Sequence, residues 1–276
     1  MRLLTIFVLF AFLTFQSCQE EPISPRLIQP EATDKKVLLE KFTGVRCVNC
    51  PEGTEEIKNL EAIYGENIIA VSIHAGFFAR KYQFSKFDFK VDAGEAIHDW
   101  LGAPLGYPSA TIDRRIFEGE QEFQLPLRAW PSNFATAISQ QAKVRITLET
   151  QFDGIDNKLN AKVLVVAEQD INHPLRLTAL LTEDNIIDPQ YSQAGVDSNY
   201  VHKYVLRDVL TSFDGVSLAE SMTRGEVIER NFEYFIPLTD SPWWKPADMH
   251  FIAFVAEDKS GEPGSVLNVE AAKFKQ

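Results

Sequence analysis

"KVLLEKFTGVRCVNCPEGTEEIKNL", residues 36–60, is the stretch on which the fold turns. Val37, Leu38, Leu39 and Phe42 form a short apolar run bounded by turn residues, the pattern of a buried strand. "TGVR" makes the turn. From Cys50 onward Ile57, Leu60, Ile63 and Tyr64 recur at helical spacing, with Glu52, Glu55 and Glu56 near the start, where acids suit the helix dipole. Pro51 belongs at a helix start, where its missing N–H is not needed. "GENIIAVSIHAG" then gives a second apolar strand, Ile68 to His74. Strand, helix, strand at this spacing predicts a βαβ unit with parallel strands.

That order predicts Cys47 at the amino end of a helix. The helix field there stabilises a thiolate and makes it a nucleophile. Cys47 is the expected attacking thiol, and Cys50, one turn on, the resolving one. Other readings stay open. A zinc site needs four ligands, and the histidines at 74, 98, 173, 202 and 250 are scattered, so no metal is expected. Covalent haem needs His directly after the second Cys, where Pro51 stands. A structural disulfide competes, although so short a loop removes little unfolded-state entropy. No cofactor is expected.

"LGYPSATIDRR" places Pro108 ahead of a strand-like run, Ser109 to Asp113. Strand, CxxC, helix, strand, then a proline-led strand resembles the thioredoxin fold. The resemblance implies a cis Tyr107–Pro108 bond facing the thiol pair, with Tyr107 and Pro108 as contacts to an extended substrate. Thioredoxins carry a buried acid near the first Cys. Glu40 is the nearest candidate for a proton relay, with an offset one residue too long. Arg46, Val48 and Asn49 also depart from the usual motif. His74 closes the second strand on the edge that bears the CxxC loop, as a proton shuttle or as a hydrogen-bonded structural residue. Residues 75–103 are an insertion. Its aromatic part, "FFARKYQFSKFDF", forms either a cap on the site or a satellite core; "VDAGEAIHDWLG" reads as a short helix and "PSNFATAISQQ", 131–141, as the closing one.

From residue 143 the pattern changes. "KVRITLETQ" alternates apolar and polar residues, and more strands follow near 160–168, 174–183, 201–211, 226–236, 248–257 and 265–274. Seven strands separated by turn residues predict an antiparallel, immunoglobulin-like sandwich. The polar loop 184–200 is long enough to be mobile or to contact a partner. His202 and the pair Trp243–Trp244 are conspicuous, the tryptophans either as a contact surface or as core.

The amino terminus is a processing signal. Arg2 precedes an apolar stretch, Leu3 to Phe15, too short to span a bilayer. It ends in "TFQSC", which resembles a bacterial lipobox; that implies cleavage before Cys18 and a lipid on its sulfur, against the plainer reading of a free cysteine in a secretory signal. "QEEPISPRLIQPEATDKK" is a tether by composition. Net charge is −12, and removing Arg2 with the signal leaves 26 basic against 39 acidic residues, near −13. Such acidity argues against nucleic-acid partners. With one cysteine lipidated, Cys47 and Cys50 pair with each other or with a partner.

Together the lipobox, "LLEKFTGVRCVNCPEG", "SIHAGFF", "GYPSATIDR" and "VHKYVLRDVL" resemble the Bacteroidota lipoprotein family named for a twenty-eight-kilodalton outer-membrane protein. The resemblance implies a signal peptide at 1–17, a tether at 18–35, an α/β thioredoxin-like domain at 36–142 and an all-β sandwich at 143–276. It implies anchoring at the outer membrane, facing periplasm or cell surface. Two functions are expected in turn: thiol–disulfide exchange on envelope proteins or peptides, or a surface binding lipoprotein that uses the fold as a scaffold.

Overall fold

The computed structural model describes residues 35–238 and 243–275. The signal segment, Cys18 and the tether up to residue 34 lie outside the described residues.

The βαβ unit forms as its periodicity predicts. Strand β1 (Val37–Thr43) is buried along its whole length. Helix α1 (Cys50–Tyr64) follows, with Pro51 in its first turn and Cys50, Gly53, Thr54, Ile57 and Leu60 on its buried face. It stops at Gly65, whose positive φ of 57° ends the helical path. Strand β2 (Ile68–His74) runs parallel to β1 with Val37 beside Ile68 and Thr43 beside His74. After the aromatic insertion come α2 (Asp92–Trp100), β3 (Ser109–Ile112), β4 (Leu125–Pro126) and α3 (Trp130–Ile138). Helices α1 and α3 cover one face of β1–β2–β3; Ile57, Leu60, Trp130 and Phe134 pack there on Val37, Leu39, Ile68 and Ala70. Helix α2 sits on the other face, where Ile97 and Leu101 meet Leu38, Phe42 and Ile73.

The remaining strands are β5 (Val144–Asp153), β6 (Lys158–Ala167), β7 (Leu175–Glu183), β8 (Ile186–Ile187), β9 (Gln190–Ser192), β10 (Gly195–Asp197), β11 (Val201–His202), β12 (Val205–Val209), β13 (Val216–Ala219), β14 (Val227–Phe235), β15 (Met249–Glu257) and β16 (Val266–Lys273). Strands β5, β6, β7, β11 with β12, β14, β15 and β16 lie close to the seven predicted positions; β8, β9 and β10 are short strands within the expected loop 184–200, and β13 is an addition. They do not assemble as predicted. The expected α/β thioredoxin-like domain followed by an all-β immunoglobulin-like sandwich is not what forms. A single nine-stranded mixed sheet runs through both halves of the chain in the order β16-β15-β7-β12-β2-β1-β3-β4, with β13 also on β7. Strand β12 is the joint: parallel to β2 at Val205–Ser72, antiparallel to β7.

The physical reason lies in β7 and β15. "LRLTALLTE" and "MHFIAFVAE" are buried on both faces, β15 with apolar residues on each and β7 with Leu180 between Thr178 and Thr182 on its second face, which suits interior strands covered on both sides and not the outer sheet of a sandwich. Leu177, Ala179, Leu181, Phe251, Ala253 and Val255 pack against the separate three-stranded sheet β14-β6-β5. Leu180, Ile252 and Phe254 face the opposite way, into the core shared with Leu38, Phe42 and α2. Two cores therefore meet across the same strands. The sheet curls until its edge reaches back to the start of β1: the Val266 amide donates to Asp113 O at 2.8 Å and the Lys36 amide to Asn268 Oδ1 at 2.9 Å.

Candidate functional site

Cys47 and Cys50 form a disulfide, with their Cα atoms 5.3 Å apart. Cys50 opens α1 and Cys47 lies in the turn before it. The turn is built on a close approach. A Cβ on Gly44 would lie 2.3 Å from the Phe78 carbonyl, so only glycine fits, and the Arg46 amide donates to Phe78 O at 3.0 Å. The Arg46 side chain donates to the carbonyls of Arg80 and Lys81, and its guanidinium lies 4.3 Å from the Tyr82 ring. The insertion thus braces the turn. Phe89 and Phe87 pack into a small core with Val45, Ile186 and Val205, while Phe77 and Phe84 are exposed.

The Tyr107–Pro108 peptide is cis. Pro108 packs against the first turns of α1: a Cβ on Gly53 would sit 3.0 Å from the proline ring and 3.1 Å from Trp130. Gly53, three residues after Cys50, is small because Pro108 lies against it. Tyr107 is oriented by His98, with Oη and Nε2 2.8 Å apart. Burial, with Glu95 and Asp99 nearby, pushes its phenol up to about 12, so it is neutral at pH 7. Beside Pro108 a groove of about 390 Å³ is lined by Asn49, Glu52, Leu105, Tyr107, Ser109 and Arg128, among others.

Strand alternation separates the two candidate relay residues. Glu40 shares its face with Leu38 and Phe42, across the sheet from α1. It is fully buried and occupied: Arg114 donates to both its oxygens at 2.9 and 2.6 Å, and Thr111 Oγ1 donates to one at 2.9 Å. Glu40 is therefore placed away from the sulfurs, as half of an ion pair. His74 lies on the α1 face. It lines a small enclosed space with Cys50, together with Lys41, Thr43, Thr54, Ser72, Gln190, Tyr200, His202 and Lys203. Burial, then the charges of His202, Lys41 and Arg207, hold the His74 imidazole well below its ordinary value. Burial likewise lowers His202 to about 4, so both rings are neutral at pH 7.

Periodicity points to neither Lys41 nor Gln190. Alternation in "VLLEKFT" does carry a signal for Lys41, since it puts it beside Leu39 on the helix-covered face. Gln190 comes from the loop 184–200, which closes over the turn. Its Nε2 donates to Cys47 O at 3.0 Å and Gly44 O at 3.3 Å. The Tyr191 amide donates to Val45 O at 2.8 Å, and Gln193 Nε2 to Asn49 Oδ1 at 3.2 Å. Beneath this strap Cys47 is 3% and Cys50 2% exposed. Removing two hydrogen bonds of about 0.5–1.5 kcal/mol each loosens the strap. Gln190→Ala is therefore expected to speed reduction of the disulfide by dithiothreitol about tenfold, followed by timed thiol alkylation.

Trp243 is exposed, whereas Trp244 packs on the sheet-to-sheet core with the Arg207 guanidinium 5.2 Å from its ring. No described helix is long and apolar enough to cross a membrane.

Comparison with known proteins adds the family. HBP35 of Porphyromonas gingivalis superposes with a TM-score of 0.66 at 20% identity, over 88% of this chain and 76% of that one. A protein from Agrobacterium tumefaciens superposes with a TM-score of 0.54 at 13% identity, over 89% and 96%. These likenesses are of fold. A domain of the outer membrane lipoprotein Omp28 from Porphyromonas gingivalis is 16% identical over 49% of this chain and 89% of its own, with a TM-score of 0.33. No curated protein matches the chain. The model of the family described as outer membrane protein Omp28 matches residues 100–276, a span that includes Pro108 and leaves out the thiol pair. That match covers well over half of the sequence: the chain belongs to the Omp28 family and is a protein of the outer membrane.

Proposed function

We propose that this outer-membrane protein carries out thiol–disulfide exchange on envelope proteins or peptides, held to the membrane by a lipid on Cys18. The observation that carries the reading is the contact of Pro108 with Gly53. It brings a proline-led strand against the helix that begins at Cys50. The adjoining groove would hold an extended substrate along Tyr107, Pro108 and Ser109.

In the proposed reaction a substrate thiolate attacks Cys47 Sγ. The Cys47–Cys50 bond breaks, a mixed disulfide forms, and Cys50 leaves as a thiolate. A second substrate thiolate then displaces Cys47. The substrate dithiol is oxidised and the protein pair reduced; the reverse sequence reduces a substrate disulfide.

Cys50→Ser is expected to trap a mixed disulfide on Cys47 that non-reducing electrophoresis resolves, while Cys47→Ser forms none. The wild-type couple should equilibrate with a glutathione series. A reduction potential well below about −300 mV, with no exchange at any poise, would make the bridge structural and end this reading.

One observation favours a second reading. Both sulfurs are buried beneath the Gln190 strap. In a surface binding lipoprotein the bridge would stay closed, and the Cys47→Ser/Cys50→Ser double variant would bind its partner as the wild type does.

A further inference from the structure

The face of β1 and β2 beneath α1 changes character along its length. At its start it is apolar: Val37, Leu39, Ile68 and Ala70. At its end, in register, stand Lys41 beside Ser72 and Thr43 beside His74, all buried. Four polar side chains in a buried patch need partners, and burying them has a substantial cost. The patch lies where Cys50 begins α1. Lys41 Nζ donates to Thr54 Oγ1 at 2.7 Å, and Thr54 follows Cys50 by four residues on the same helix face. Ser72 Oγ is buried with no hydrogen-bond partner among the described residues. Tyr200, His202 and Lys203, just ahead of β12, and Gln190 line the same small space, of about 10 Å³.

Resting on the exchange reading above, we infer that Lys41, enclosed with Cys50 in this polar chamber, is the proton-transfer residue for the Cys50 sulfur. When a substrate thiolate opens the disulfide, Cys50 departs as a thiolate into the chamber and the Lys41 ammonium gives it a proton. In the reverse direction the neutral Lys41 amine takes the proton from the Cys50 thiol. The resulting thiolate attacks Cys47 Sγ of the mixed disulfide, re-forming the Cys47–Cys50 bond and releasing the substrate sulfur as a thiolate. Electrons pass only between sulfurs, and the lysine holds the proton between the two steps.

The groups facing Lys41 fit this role. Burial, with a smaller effect of the Lys58 charge, brings its ammonium down to about 7, so it exchanges a proton near neutral pH. From α1 come Cys50 and Thr54; from β2, Ser72 and His74; from the closing segment, Tyr200, His202 and Lys203. No carboxylate lines the space among the described residues; beside two neutral imidazoles stand two lysines, of which Lys41 is buried and hydrogen-bonded to the helix that begins at Cys50, while Lys203 is half-buried.

The test follows Cys50 directly. In reduced Cys47→Ser protein, thiolate absorbance near 240 nm reads the Cys50 titration. Adding Lys41→Met should raise its midpoint by a pH unit or more, and Thr54→Val, which frees the lysine from its hydrogen bond, should shift it measurably with Lys41 retained. In protein with both cysteines, Cys47 is loaded with glutathione and decay of the mixed disulfide is followed by acid quench and mass spectrometry. Lys41→Met should slow that decay at least tenfold at pH 7 and remove its pH dependence around neutrality, while the rate of loading stays within twofold. Unchanged Cys50 titration and unchanged decay in Lys41→Met, with the wild type exchanging normally, would overturn this inference alone. A wild type that neither loads nor resolves would overturn the exchange reading and this inference together.

Discussion

Arg114→Ala is expected to lower the stability of the protein by about 3–5 kcal/mol, the cost of leaving a buried carboxylate without its partner. Glu40 is wholly buried and takes both its guanidinium hydrogen bonds from Arg114. Arg114 also lies 4.8 Å from the Phe254 ring and 5.3 Å from that of Trp100. Phe254 belongs to β15, so the pair ties the first strand to the sheet contributed by the far half of the chain. Removal of the guanidinium takes away the countercharge and these ring contacts at once. Against a typical stability of about 5–15 kcal/mol, the change should move the urea midpoint far down. The double variant Glu40→Gln/Arg114→Met removes both charges and is expected to recover most of the loss. A double variant no more stable than Arg114→Ala would show that the ring packing, and not the stranded carboxylate, is what Arg114 contributes.

The second large effect runs the other way. Lys41→Met is expected to stabilise the fold, and to do so most at low pH. In the folded chain burial lowers Lys41 from 10.5 to about 7. Below about pH 7 the folded state bears the whole cost of the buried charge. Between about 7 and 10.5 the unfolded chain binds more protons than the folded one, so the wild type gains stability with rising pH at about 1.4 kcal/mol per unit. Above about 10.5 the difference is gone. The methionine variant has no such dependence. Its advantage is therefore roughly 4–5 kcal/mol at pH 6–7, before subtraction of the lost Thr54 hydrogen bond, and fades as pH approaches 10.5. Urea unfolding of both proteins at pH 6, 8 and 10 checks the slope. A constant difference across that range would place the lysine charge in contact with solvent.

Sequence alone determined what neighbouring residues settle among themselves. Apolar runs and a 3.6-residue period place β1, α1 and β2. Pro51 and the glutamates near it set the helix start that meets Cys50, and the alternation of Val144, Ile146 and Leu148 marks β5. Tertiary structure decided the rest, because it depends on which distant surfaces meet. Nothing local in "DNIIDPQYSQAG" says that Gln190 will cap the Cys47 carbonyl, some 140 residues earlier in the chain. The merging of two expected domains into one curled sheet followed from β7 and β15 being covered on both faces, a pattern plain in the letters of β15 but ambiguous in those of β7, where Thr178 and Thr182 flank Leu180 on the second face. Glu40 and Lys41 are adjacent in sequence, yet the strand sends one to Arg114 and the other to Thr54, in the small space that Cys50 also lines. Which became which depended on the side of the sheet that α1 came to cover.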